Sequence, residues 1–575
     1  MRLPQIVTDE RRRRHGGTGW LVALVGAVVL VGAPYLPWAY GDEAMDDMTY
    51  LGGPSPTQFL GLALGAALLV CLLAARFLVP RLPAARRRWF AWHTGASAVA
   101  TGALVFQAVV VVAVALELGG LVNVEYGGWI ALAGALLAFA GTRLLVPERT
   151  ATLGRVHSPA WLVILVIAAV MLGSLLLIAH ALDEDDPGVF IALLVFVGAA
   201  VTLVLRIGLG GWFSSQTARF RPVLVMAAFL VAFAFPFTQD GSNANMSIAT
   251  QVLIFAATAL GLNIVVGLAG LLDLGYIAFL GAGAFVAAIL SGSAFSAVGW
   301  NPPFIVTVLI SGVVASIFGL IIGSPTLRVS GDYLAIVTLA FGEIFRLVMI
   351  NLDGNDGPDL TNGSNGIPNI PDLNLFGFDF GEPHVMLGVE IPRFANYYFL
   401  LLVLVGLVIV VFANLNRSRI GRGWVAIRED EKAAEAMGVN VFGLKLFAFA
   451  GGAFLAGVAG SVKAHHDISV TPDQYVFLES AFLLAAVVLG GMGTILGVLV
   501  GATLLRLMPE KLRFFDEYRL LAFGLLLVVM MRFRPEGLIA SRRRQLEFHE
   551  DDEELAAHTG EAPPGAGRAE PEGAR

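Results

Sequence analysis

The chain has 575 residues, of which 57% are hydrophobic and only 14% charged, and its mean hydropathy is +0.77. No soluble core hides that much apolar surface, so composition alone excludes a soluble globular protein and makes this an integral membrane protein. The net charge of −7 carries little weight, because much of the acid lies in the Pro/Gly/Glu-rich stretch after Glu547, which reads as a disordered tail over 541–575.

A single cysteine, Cys71, excludes a disulfide framework and a cysteine-built metal site. Lysine occurs only at positions 432, 445, 463 and 511, and no glycine-rich loop runs into Gly-Lys-Ser/Thr. The chain therefore lacks a phosphate cradle of its own, and any ATP that drives it must be hydrolysed by another chain.

In chain order, "RRRRHGGTGWLVALVGAVVLVGAPYLPWAY" reads either as a signal peptide or as a first membrane helix. The length of its apolar run and the many spans that follow favour the helix. Spanning takes roughly 20 apolar residues, and the Lys/Arg-rich loops stay inside. Six spans fit near 19–37, 57–79, 92–117, 128–146, 159–181 and 188–207. Loops 81–88, 143–155 and 206–221 are basic and expected inside, whereas 41–47 and 182–188 are acidic and expected outside. Further spans are expected near 222–237, 248–266, 276–292, 303–323, 332–350, 396–413, 444–462 and 518–532. The arginine-rich end of the last one belongs inside, and a single crossing over 479–507 would put it outside. Two short segments broken at "LGGMGT" satisfy that parity, and Gly490, Gly491 and Gly493 make the break cheap. The expected fold is all-α and polytopic, with about 16 crossings including this broken or re-entrant pair. Both termini are expected in the cytoplasm and the chain in the plasma membrane. Segment 351–395 is the longest external loop, rich in Asn, Asp, Gly and Pro, and its length suits a binding surface.

One internal loop differs from the rest. "AIREDEKAAEAMGVN" (426–440) packs six charges and four alanines into a helix-prone stretch. On a helical wheel Arg428, Glu431, Lys432 and Glu435 share one side, and Ala433, Ala434, Ala436 and Met437 the other. Asp430 can cap the start and Gly438 can supply a left-handed end. The small-residue face suits docking by another protein, or the helix simply folds back on its own chain. Among polar residues in the spans, Asn263 faces a translocation path or bonds between helices. Asp273 reads as solvated near an internal turn. Glu343 and Arg346 are spaced to pair, and Thr338 is placed to bond a backbone carbonyl. His465 and His466 are expected in an external loop, with no partners set for a metal.

The stretch "GRGWVAIREDEKAAEAMGVNVFGLKLFAFAGGAFLAGVAG" (421–460) resembles permease subunits of branched-chain amino acid ABC importers, the LivM family. Stretches 259–290, 325–348, 360–367, 487–502 and 518–538 agree in the family's order. The resemblance implies that Glu431, Ala433, Ala434 and Gly438, with Arg428 beside them, belong to a coupling helix that docks onto an ATPase subunit. It implies an importer permease core over 221–540, with a second permease subunit (a heterodimer), an extracytoplasmic substrate-binding protein and membrane lipid as partners, and no nucleic acid. The candidate translocation path comprises Asn263, Thr338, Gly490, Gly491 and Gly493. Asp273 departs from the serine expected there. Residues 1–220 find no counterpart in the resemblance and read as an accessory six-helix domain of unknown role. No catalytic residue, cofactor or metal is expected, since transport makes and breaks no bond here. Two other readings stay open: a urea or short-amide permease of the same superfamily, and a secondary transporter, which would need no docking helix.

Overall fold

A computed structural model of the chain describes residues 3–40, 45, 48, 54–83, 89–146, 158–184, 186–296, 298–326, 333–355, 357–386, 388–511 and scattered residues between 521 and 539. The expected tail over 541–575 and most of the expected span 518–532 lie outside the described residues. The chain divides into two compact units, Met1–Gly241 and Ser242–Arg575.

The first unit contains α1 (Leu3–Gly32), α2 (Pro56–Leu73), α3 (Trp92–Glu117), α4 (Tyr126–Arg143), α5 (Ala160–Asp183), α6 (Pro187–Ile207), α7 (Leu209–Arg219) and α8 (Arg221–Ala234). Local chemistry sets several boundaries. Ser55 and Gln58 form a reciprocal capping box with Pro56 in the first turn of α2. Asp186 caps α6, which ends at Gly208 in the left-handed conformation (φ +100°). Helices α1 and α4 meet along glycines: a Cβ built on Gly26 would lie 2.4 Å from the Ala138 nitrogen, and one on Gly141 would lie 2.4 Å from the Ala23 nitrogen. Backbones this close are how apolar helices associate in lipid, where burial supplies no drive. Helix α7 corrects the sequence reading, which took 206–221 as a loop. Its periodicity was masked by two glycines and a run of polar residues, Ser214–Thr217.

The second unit runs through α9 (Asn243–Asn263), a π-turn (Ile264–Leu268), α10 (Ile277–Ile289), α11 (Phe304–Thr326) and α12 (Tyr333–Asn351). Two small antiparallel hairpins follow, β1 (Asn374–Leu375) with β2 (Phe378–Asp379) and β3 (His384–Met386) with β4 (Val389–Ile391). Then come α13 (Arg393–Arg417), α14 (Arg419–Glu429), α15 (Glu431–Ala436), α16 (Val441–Asp467), α17 (Phe477–Gly490) and α18 (Ile495–Lys511). Helix α16 is the hub. A Cβ on Gly283 of α10 would sit 2.1 Å from the Gly457 oxygen, and one on Gly457 would sit 2.6 Å from the Ser311 oxygen of α11. Both neighbours thus pack on the same glycine-lined stretch of α16.

Twelve helices among the described residues are long and apolar enough to cross a membrane. The expected number was higher because α4 and α10 were taken as crossings, α18 was counted as half of the broken or re-entrant pair, and 518–532 lies mostly outside the described residues. Helix α10 has 13 residues, about 20 Å of helix, and is too short to span. The chain is all-α and polytopic, and it breaks at 491–494 between α17 and α18, as parity required.

Candidate functional site

Two breaks in the second unit lie against each other. Helix α9 ends at Asn263, a residue with no solvent exposure, and passes into the π-turn. The Asn263 Oδ1 accepts the Gly493 N–H at 2.8 Å, and its Nδ2 donates to the Thr494 carbonyl at 3.2 Å. One side-chain amide thereby satisfies backbone that the interruption of α17–α18 leaves without helical partners. Interhelical bonding is therefore what Asn263 does in this structure. The break needs glycine: Gly491 and Gly493 have φ of +122° and +78°, and a Cβ on Gly490 would stand 2.0 Å from the Gly497 oxygen. A Cβ on Gly267 would stand 1.9 Å from Asn263 Oδ1. From further along the chain, the Leu538 and Ile539 amides donate to the carbonyls of Leu489 and Gly490.

Between the π-turn and α10, residues 269–276 are held irregular by four bonds. Gly275 N–H donates to Asp273 Oδ1 at 2.9 Å and Leu274 N–H to Thr338 Oγ1 at 3.0 Å. The Tyr276 hydroxyl donates to the Gly452 carbonyl at 2.6 Å, and Ile277 N–H donates to Ser480 Oγ at 3.0 Å. Thr338 also donates to the Ala335 carbonyl, as its position predicted. Asp273 corrects the sequence reading. It is buried rather than solvated, because the loop folds inward over α12 and uses the carboxylate to turn its own backbone. Tyr276 and Ser480 were not singled out from sequence. A hydroxyl inside an apolar run was the available signal.

The charged loop forms two helices, α14 and α15, hinged at Asp430, rather than one. The Asp430 carboxylate caps α15 by accepting the Ala433 N–H at 2.9 Å. Gly438 closes it at φ +82°, with Gly438 N–H to Glu435 O and Val439 N–H to Ala434 O. These are the paired bonds of a left-handed helix stop, and both expected caps are present. The wheel is only partly realised: Ala434 turns inward, while Ala433, Ala436 and Met437 stay exposed, Met437 at 85%. Glu431 pairs with Lys445 of α16 at 2.6 Å, and buried Trp424 donates to the Leu444 carbonyl at 2.7 Å.

Arg428 lies in the last turn of α14, not on α15, and points inward. Its Nη1 donates to the Gly267 carbonyl at 2.7 Å. The partners are 161 residues apart in sequence, so nothing local could have announced the contact. Gly270, at φ +72°, leaves room for the arginine, since a Cβ there would meet Arg428 Cγ at 2.7 Å. Arg428 thus bonds to the π-turn at Gly267, and Asn263 at the head of the same turn bonds to the 491–494 break, so one turn links the charged loop to both interruptions.

At the other end of the unit two expectations change. Arg346 pairs chiefly with Asp473 at 2.7 Å and only marginally with Glu343 at 4.0 Å. His465 and His466 occupy the last turn of α16 and are buried instead of sitting in a loop. His466 bonds Asp467 and Thr250, and His465 bonds the Pro371 carbonyl. Among the described residues no cluster of three His, Cys, Asp or Glu is placed to hold a metal. Segment 352–392 is fastened here by an unforeseen node. Asp372 accepts from Arg393 and from the Tyr397 hydroxyl at 2.8 Å each. Arg393 also donates to the carbonyls of His465 (2.9 Å) and His466 (3.1 Å).

Residues 245–531 match the model of the family described as "Branched-chain amino acid transport system / permease component". The chain is 40% identical over 340 residues to the high-affinity branched-chain amino acid transport system permease protein LivM of Salmonella typhimurium and, equally, to that of Escherichia coli. In each case the match covers 57% of this chain and 76% of the relative. It is 35% identical over 173 residues to the BraD permease protein of Pseudomonas aeruginosa, covering 30% of this chain and 55% of that one. No solved structure matches. The glycine-dependent double break and the matched stretch coincide within the second unit, and the chain belongs to the branched-chain amino acid transport permease family, as a multi-pass membrane component of a transport system.

Proposed function

We propose that the chain is the transmembrane permease subunit of an ATP-driven importer for branched-chain or other hydrophobic amino acids. The carrying observation is the π-turn that Arg428 holds at Gly267 and that Asn263, at its head, ties to Gly493. A separate ATPase docks on α15, where Ala433, Ala436 and Met437 are presented and Glu431, Ala434 and Gly438 fix the helix. Nucleotide-driven movement of that helix pulls Arg428, and with it the π-turn and the 491–494 break. Asn263 and Thr338 are positioning residues that hold the two irregular segments in register. Gly490, Gly491 and Gly493 let the path change shape beside them. Irregular backbone of this kind supplies the polar contacts that a zwitterion needs in passage.

A second permease subunit completes the membrane assembly, and a substrate-binding protein delivers cargo to segment 352–392. The fully exposed tip of the first hairpin supports that docking: Phe376 is 95% exposed and held at positive φ beside Gly377. The Arg-rich loops support a plasma-membrane protein with both termini in the cytoplasm.

The test is uptake of labelled leucine into proteoliposomes carrying the complete complex, with urea as competitor. Charge reversal of 430–437 should abolish ATP-dependent uptake while the protein still folds and assembles. Full uptake by that variant, or uptake by this chain without an ATPase, overturns the reading. Competition by urea but not by isoleucine or valine reassigns the substrate.

A further inference from the structure

The first unit holds a half-open groove of about 570 Å³ between α3, the end of α4 and α6. That volume falls within the range of small-molecule and lipid sites. Its lining is graded along the helices. At one end stand Arg143, Arg206, His93 and Thr94; at the other, Val105 and Val195, with Ala98, Gly102, Gly198 and Ala199 between. On α3 the lining runs from His93 to Val105, which is about 18 Å of helix. On α6 it runs in parallel from Arg206 back to Val195. Neither Asp nor Glu lines the groove among the described residues. The start of α3 faces the same end, so its N-terminal dipole adds to the two guanidinium charges. The hydroxyls of Thr101 and Thr202 donate to carbonyls one turn back, along a groove whose far end is apolar and open, Val105 being 47% exposed.

We propose that this groove binds one anionic phospholipid, its phosphate between Arg143 and Arg206 and an acyl chain along the α3–α6 channel. A soluble anion would account for the arginines but not for a channel that continues into small and branched apolar side chains. An uncharged lipid would account for the groove but not for two arginines at its end, where no described residue supplies a carboxylate. Guanidinium groups match phosphate oxygens in geometry as well as charge. The glycines set the width. A Cβ on Gly102 would lie 2.3 Å from the Ala199 Cβ, so that position closes the channel's floor, whereas nothing lies within 4 Å of a Cβ on Gly198, which faces open space.

Native mass spectrometry of the full-length protein, released from nanodiscs of phosphatidylglycerol and phosphatidylcholine, tests this. Wild type should retain one phosphatidylglycerol in preference to phosphatidylcholine. The double variant Arg143→Gln/Arg206→Gln should lower that retention at least about tenfold, since charge-assisted hydrogen bonds are lost. Gly198→Leu, which fills the channel with both arginines intact, should lower retention of either lipid. Equal retention of the two lipids by wild type overturns the proposal, as does unchanged retention in the Gly198→Leu variant. Displacement by millimolar inorganic phosphate, with Gly198→Leu silent, would assign the arginines to a soluble anion and also overturn it. Circular dichroism melts of each variant separate these outcomes from misfolding, and none of them depends on transport activity.

Discussion

Helices α5 and α9 invert the usual relation between apolarity and burial. Helix α5 is the more apolar, with a mean hydropathy of 3.1, yet only 17% of its span lies inside protein; the α9 span, at 2.0, is 83% enclosed. In a bilayer, hydrocarbon is as good a neighbour for leucine as protein is, so apolarity does not decide which helix goes inside. Small residues that permit close backbones and polar groups that need partners decide it. Helix α9 carries Thr250, Thr258, Gly261 and Asn263, all buried. Helix α5 presents mainly leucine, isoleucine and valine, many of them exposed. The family-matching part of this molecule is therefore its less oily part, and it is built around interruptions.

If that contrast holds, equal substitutions must have unequal effects. Gly490→Val drives a side chain into the Gly497 carbonyl and should cost about 3 kcal/mol or more, as overpacking against backbone does. Gly173→Val on α5, where nothing lies within 4 Å of the added Cβ, should change stability by no more than about 0.5 kcal/mol. Thermal melts in detergent compare the two directly, and equal losses would break the contrast. Asn263→Ala leaves the Gly493 N–H buried without its acceptor and should cost about 2 kcal/mol, with leucine uptake falling in step. Uptake at the wild-type level would show that the break holds itself.

Arg428→Gln sharpens the contrast without touching the fold's core. Uptake should fall at least about tenfold, while ATP hydrolysis by the assembled complex changes less than about twofold, because docking stays and the pull is lost. Parallel loss of both would make Arg428 a docking residue instead. The smallest expected effect is Asp430→Ala. Loss of this cap should cost about 1 kcal/mol of α15 stability and weaken ATPase capture roughly fivefold in a titration.

The features legible in sequence were those with a local cause. The caps of α15 follow from Asp430 and Gly438, and the 491–494 break from three glycines and loop parity. The crossing helices follow from apolar runs bounded by arginine. What stayed hidden depends on contacts distant in sequence. Arg428 looked like one more charge on a wet helix until the fold brought the Gly267 carbonyl to it. His465 and His466 looked like loop residues because two histidines and an aspartate end the apolar run. They are buried because Arg393, Thr250 and Pro371 meet them there. Asp273 was misread for the same reason: its acceptor role serves a loop whose shape is set by Thr338, 65 residues later.

Helix α16 extends 27 residues, about 40 Å, and is gripped at both ends. Trp424 and Glu431 hold its first turns, and Arg393 holds the His465 and His466 carbonyls in its last turn. If an ATPase docks on α15 and a receptor on segment 352–392, as proposed, a rod fixed in this way makes the two sides a single thermodynamic system. Whatever factor receptor docking then changes in the affinity of the ATPase for α15, ATPase docking must return to the receptor, because the two affinities share one cycle. A receptor titration performed with and without ATPase subunits would then yield the coupling across the membrane as one number.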